Sequence, residues 1–205
     1  MTDTAYDALR SYIESTTDVP EALDNARRDA AEFGLTVPDE MTGQLLSTLA
    51  AGSGSESSTG AVAVTPAAGV VGLYILRGLG EKATLTCIDP EVEHQTQART
   101  TFRDAGYAPS RVRFLPSRPL DVMGRLAADS YQLVYAEVSP VELPAVIEAG
   151  WPLLTAGGTL VLADALLDAT LADDSRRDRA TVAAREADEL SRSLEGAIVT
   201  RLPLG

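Results

Sequence analysis

The sequence predicts an α/β protein: a doubly wound, mainly parallel sheet with helices on both faces and a helical N-terminal extension. Three observations carry that expectation. From Gly60 onward, short apolar segments alternate with longer segments of helical spacing. The short segments are apolar on both faces, as strands covered by helices on either side must be. Before Gly60 there are only amphipathic segments with apolar residues three and four apart, the spacing of one helix face.

Those amphipathic segments are TAYDALRSYIES (4–15), PEALDNARRDAAEF (20–33) and PDEMTGQLLSTLAA (38–51). Pro20 suits a first helical turn, and Asp39 and Glu40 favour the positive end of a helix dipole. GSGSESSTG (52–60) has the composition of a flexible loop. The residues before it are too few to bury a core alone, so the expectation is one domain over 1–205. Its parts are a helical extension (1–51), a Gly/Ser-rich loop (52–60) and an α/β core (60–205).

Within the core, AVAVT (61–65) reads as a strand and AAGVVGLYILRGL (67–79) as a helix. ATLTCID (83–89) is the second strand and PEVEHQTQARTTFRDAG (90–106) the second helix. RVRFLP (111–116) precedes a short helix, PLDVMGRLAA (119–128). YQLVYAEV (131–138) is followed by PVELPAVIEAGWPLL (140–154), helical with a break near Pro152. GGTLVLADAL (157–166) is a strand and DDSRRDRATVAAREADELSRSL (173–194) a long charged helix. GAIVTRLPL (196–204) reads as a last strand.

Composition excludes several classes of function. The formal net charge is −13, spread along the chain, so polyanions are repelled and neither nucleic acid nor an anionic membrane is an expected partner. No apolar run approaches the eighteen or so residues that span a bilayer, and the acidic N-terminus lacks the features of a signal peptide. A cytoplasmic protein is expected. One cysteine, Cys87 in an apolar run, permits no internal disulfide and reads as a buried structural thiol. Of 17 basic residues only Lys82 is a lysine, so chemistry that needs one has a single candidate.

In doubly wound sheets ligands sit beyond the carboxyl ends of the strands, near the point where strand order reverses. The residues there are Thr65-Pro66-Ala67-Ala68-Gly69, with Val71 two residues on, then Asp89-Pro90, Pro116-Ser117-Arg118, Glu137-Val138-Ser139 and Asp164-Ala165. Asp89, twenty residues past Gly69, suits a grip on the two hydroxyls of a ribose. It also suits a helix start with Pro90, and the two roles are compatible. His94 reads as a surface side chain and Trp151 as a packing residue. Arg176, Arg177, Arg179 and Arg185 read as a solvated helix face.

Taken together, CIDPE…A…F..AG followed by a strand, and LL..GG.LV..D, give the chain a marked resemblance. It resembles the class I S-adenosylmethionine-dependent O-methyltransferases, of the small bacterial catechol and caffeoyl-CoA type, over nearly its whole length. The resemblance implies a Rossmann-like methyltransferase fold and methyl transfer from S-adenosylmethionine to a hydroxyl of a small, phenolic type of acceptor. It also implies a homodimer built partly on the N-terminal helices. The family's loop E-(I/V)-G-T-G-x-G falls on Ala63 to Gly69, where only the last glycine is kept and Pro66 removes an N–H donor. The cofactor residues implied are Thr65, Pro66, Ala67, Gly69, Val71, Asp89, Pro90, Ser117, Arg118 and Glu137.

The family's metal site, two Asp and an Asn holding magnesium or calcium, falls on Glu137, Asp164 and Ala165. Ala165 cannot ligate, so a divalent ion would rest on Glu137, Asp164 and waters. Otherwise the two carboxylates face solvent or cap helices. The family's base is a lysine after the fourth strand, where this chain has Val138-Ser139-Pro140, and Glu137 is the remaining candidate for catalysis. The family ends in an antiparallel strand after LP(L/V)GDG, so that strand is expected to be missing beyond LPLG. A second expectation is a protein that keeps the fold as a binding module for a small molecule or protein. A nicotinamide-dependent oxidoreductase is disfavoured, because TPAAGVVG lacks the first two glycines of G-x-G-x-x-G.

Overall fold

The computed structural model describes residues 4–54 and 58–204; residues 55–57 of the Gly/Ser-rich loop and the closing Gly205 lie outside the described residues. Five strands, β1 (Gly60–Val64), β2 (Leu85–Ile88), β3 (Val112–Leu115), β4 (Tyr131–Ala136) and β5 (Leu154–Leu162), form one sheet. Their order is β3-β2-β1-β4-β5, and every pairing is parallel. The chain moves outward from β1 to β3 and returns to place β4 on the other side of β1. That reversal opens a crevice at the carboxyl ends of β1 and β4.

All five residues of β1 and all four of β2 are buried, which is why they read as unbroken apolar runs. One face of the sheet carries α4 (Ala68–Gly78) and α5 (Val92–Asp104), over a core that includes Ala63, Cys87, Phe102 and Tyr135. The other carries α6 (Pro119–Val122), α7 (Leu143–Gly150) and α8 (Arg179–Ser193). There Val62, Val64, Ile88 and Val134 pack beneath Val146, and Ala187 of α8 packs on Leu143 and Ile147.

The N-terminal helices α1 (Ala5–Thr16), α2 (Glu21–Glu32) and α3 (Glu40–Ala50) are as the sequence predicts. Asp39 caps α3, its carboxylate accepting the Thr42 N–H at 2.8 Å. Glu40 turns inward instead, accepting the Tyr74 hydroxyl at 2.6 Å and pairing with Arg27 at 3.2 Å, so one carboxylate joins α2, α3 and α4. Burial first, then the hydrogen bond to Glu40, pushes the Tyr74 phenol up to about 12.

Three expectations change. Residues 197–204 form no strand; the Arg201 side chain pairs with Asp188 of α8 at 2.7 and 3.0 Å and the Pro203 carbonyl accepts the Tyr6 hydroxyl at 2.6 Å. The long charged helix begins at Arg179, where Asp178 caps it through the Thr181 N–H at 3.0 Å. Arg185 is no solvated residue: it donates at 3.0 Å to the Leu171 and Arg176 carbonyls and also to that of Asp173. It thereby ties α8 to the segment after β5, where Asp164, Leu167, Asp168 and Ala169 all adopt left-handed backbone. Cys87 is buried as expected, and burial raises its thiol pKa.

Candidate active site

At the crevice between β1 and β4 the backbone continues past both strands. The Glu137 N–H donates to the Val64 carbonyl at 2.8 Å, and the Thr65 hydroxyl donates to Glu137 Oε2 at 2.6 Å. The same hydroxyl oxygen accepts the Ala67 N–H at 3.0 Å, so Thr65 links the loop to the next strand. The loop needs no glycine for its shape. Ala67 has φ −86°, an ordinary angle, and none of residues 65–69 has positive φ.

A cavity of about 280 Å³ opens in front of this crevice. It is lined by Val64, Thr65 and Pro66 at the end of β1, Ile88, Asp89 and Pro90 at the end of β2, Arg118 and Pro119 after β3, and Glu137, Val138 and Glu142 after β4. The structure thus gathers Thr65, Pro66, Asp89, Pro90, Arg118 and Glu137 around one space. Glu142 escapes sequence reasoning because it follows β4 by six residues, in a 3-10 turn whose periodicity reads as helix.

The other site residues lie elsewhere. Gly69 faces α5, where an added Cβ would stand 3.5 Å from Thr101 Oγ1, and it borders a separate cavity of only about 20 Å³ with Ala67. Val71, two residues past Gly69 and so on the opposite side of α4, is fully buried in the core. Ser117 is half-buried but not in the cavity wall. Asp164 is exposed beyond β5 and reaches the site only through its field.

Burial, the largest effect, raises the pKa of Glu137; the bond from Thr65 opposes it and the charge of Asp164 adds to it. Asp89 is 5% exposed, and burial raises its pKa against hydrogen bonds from His94 and the Glu91 N–H. The N-cap position of α5 falls to Glu91, whose side chain makes no capping bond, so Asp89 is not the helix cap. His94, expected at the surface, has Nδ1 2.8 Å from Asp89 Oδ2. Lys82 precedes β2, at the opposite end of the strand from the cavity.

A parallel sheet reversing at β1, with acidic residues around a cavity at its carboxyl ends, is the arrangement of the Rossmann-like O-methyltransferases. A Mycobacterium marinum protein named, by inference, as an O-methyltransferase is 36% identical over 197 residues, 96% of this chain and 87% of that protein. A Mycobacterium tuberculosis relative named in the same way is 35% identical over 199 residues, 97% of this chain and 88% of its own. The chain belongs to this O-methyltransferase family. A crystal structure of a Corynebacterium glutamicum protein, 67% identical, covers 98% of this chain and 94% of its own with a TM-score of 0.95. The O-methyltransferase TomG of Streptomyces achromogenes, involved in tomaymycin synthesis and solved with S-adenosylmethionine, shares the fold at a TM-score of 0.82. It is 21% identical over 95% of this chain and 88% of its own. No protein-family model matches the chain.

Proposed function

We propose that the protein binds S-adenosylmethionine in the cavity at the ends of β1, β2 and β4 and transfers its methyl group to a hydroxyl of a small acceptor. The observation that carries this is the convergence of Asp89, Thr65 and Glu137 on one 280 Å³ space at the reversal point of a methyltransferase sheet. TomG, solved with S-adenosylmethionine, and a Bacillus cereus O-methyltransferase, solved with S-adenosylhomocysteine, share this fold and support the choice of ligand. The residues present fit it. Asp89 offers acceptor oxygens for a ribose diol, and the small side chains and ordinary backbone of the 65–68 loop let an adenosyl group approach.

The cofactor supplies an electrophilic methyl group on a sulfonium; the chain does the rest. Thr65 fixes one oxygen of Glu137, leaving Oε1 to take the proton of an acceptor hydroxyl as that oxygen attacks. A raised carboxyl pKa makes Glu137 a stronger base than an exposed glutamate. Positioning of the acceptor against the methyl group supplies most of the remaining rate. We assign the acceptor to the phenolic class and the assembly to a homodimer, supported by the exposed apolar residues Tyr6, Leu9 and Tyr12 of α1. Light scattering that gives a monomer would remove the dimer.

A metal fits poorly. Among the described residues no group of three or more His, Cys, Asp or Glu could hold one, and Asp164 stands exposed beside an alanine. No step here runs through a metal ion.

Calorimetric titration with S-adenosylhomocysteine, with and without magnesium, tests the reading. The family loop's lost carboxylate removes one charged hydrogen bond, a loss of about ten- to hundredfold, so binding tighter than about 100 μM is expected. Magnesium is expected to leave that affinity unchanged; a magnesium-dependent rise would restore Glu137 and Asp164 as ligands. No heat at millimolar ligand from folded protein would turn the reading to a binding module without the cofactor. Methyl transfer from labelled S-adenosylmethionine to a panel of phenols then tests turnover.

A further inference from the structure

His94 is the only histidine of the chain, and the reaction above gives it no part. It lies in the first turn of α5 and is largely buried, with 16% of its side chain exposed. Its Nδ1 stands 2.8 Å from Asp89 Oδ2. An ionised carboxylate only accepts, so the facing imidazole nitrogen must carry the proton. The ring also meets Phe33 edge-on, with centroids 5.4 Å apart and planes at 82°. Phe33 ends α2, and the same two helices are joined one turn further along α5, where Gln97 Nε2 donates to Asp29 Oδ2 at 2.5 Å. One imidazole therefore connects the N-terminal extension to the carboxylate in the cavity wall.

We propose that His94 is a positioning residue for the cofactor: it fixes one oxygen of Asp89 from behind, so that the remaining lone pairs face the ribose, while Phe33 fixes the ring. This rests on the cavity being an adenosyl site. A buried carboxylate without such a donor rotates about its last bond and meets a diol in fewer productive orientations. Partners that orient a binding group in this way are worth about ten- to a hundredfold where they have been removed from metal sites.

Two substitutions separate the donor from the ring. His94→Asn places an amide nitrogen where Nδ1 stands but removes the contact with Phe33; His94→Phe keeps a ring and removes the donor. Titrated calorimetrically, His94→Asn is expected to bind S-adenosylhomocysteine within about threefold of the native protein, and His94→Phe about tenfold more weakly. Because the histidine is unique, its imidazole nitrogens give an NMR signal that needs no assignment. In the native protein that signal should report the Nδ1–H tautomer and shift during titration with the same dissociation constant as calorimetry. Native binding with an unmoved imidazole signal, or with unweakened His94→Phe, overturns the proposal and leaves the adenosyl site intact. Absence of native binding overturns both.

Discussion

Glu137 carries the sharpest conflict between stability and function at the scale of one residue. Burial raises its folded-state pKa above the ordinary 4.5, so folding favours its protonated form. Its favourable contribution is complete below the unfolded pKa and is lost as pH rises through the folded value. At about pH 8 the ionised side chain therefore costs stability. Glu137→Gln keeps an oxygen for the Thr65 hydroxyl and removes that cost. It should melt higher than the native protein at about pH 8, with the gap narrowing as pH falls toward about 5, above the isoelectric point near 4.4. The same variant should lose about a hundredfold or more in methyl transfer, the usual worth of a general base. Thermal melts across pH and a transfer assay check both; an unchanged rate would remove Glu137 as the base. Position was what the sequence could reveal here. Asp89 and Glu137 end strands, and strand ends are readable from apolar runs. The partners that set their chemistry, His94 in the first turn of α5, five residues past Asp89, and Thr65 across from Glu137, come from pairings that apolar periodicity does not record.

Among the elements, the N-terminal extension is seated on the core by close backbone approach. A Cβ on Gly78 of α4 would fall 2.0 Å from the Ser47 carbonyl of α3, and one on Gly43 would fall inside the Tyr74 ring. Ser47 also donates to the Tyr74 carbonyl at 2.7 Å, which leaves the two helices no room to separate. Gly78→Ala should therefore destabilise the fold by about 3 kcal/mol or more, since backbone rather than a flexible side chain must give way. Gly69→Ala, whose new methyl group meets Thr101 and Ala98 at ordinary contact distances, should melt within about 1 kcal/mol of the native protein. Chemical denaturation of the pair is the measurement, and equal losses would refute the packing argument. This contrast explains what the sequence could and could not show. The apolar runs of β1 and β2 and the helical spacing of α4 and α5 follow from burial, which periodicity records. Residues 196–204 carry a strand-like composition too, yet a strand exists only where another strand accepts its ladder. Among the described residues no strand pairs with them: Arg201 binds Asp188 through its side chain only, and the Pro203 carbonyl accepts the Tyr6 hydroxyl.

For the molecule as a whole, the acidic balance that argues against nucleic acid also bears on the cavity. Three carboxylates, Asp89, Glu137 and Glu142, face one guanidinium, Arg118, within a chain of net charge −13. S-adenosylmethionine carries a sulfonium charge and one methyl group that S-adenosylhomocysteine lacks, and otherwise the two are the same. The field of the site acts on the charge, and salt dependence separates that from contact with the methyl group. A unit charge several ångströms from such a group gains about 1 kcal/mol at the effective dielectric of a partly open site, or roughly fivefold in affinity. The methyl donor should bind about fivefold more tightly than the demethylated product at low salt. The gap should shrink as ionic strength rises, because mobile ions screen an open site. Paired titrations of the two ligands at about 20 and 500 mM salt give the test. Equal affinities at low salt would mean that the carboxylates lie too far from the sulfonium to act on it. A gap that ignored salt would place the discrimination in direct contact with the methyl group. The expected result would give the acidic cavity a role in turnover, as the protein holds its substrate cofactor and releases the product formed when the charge is spent.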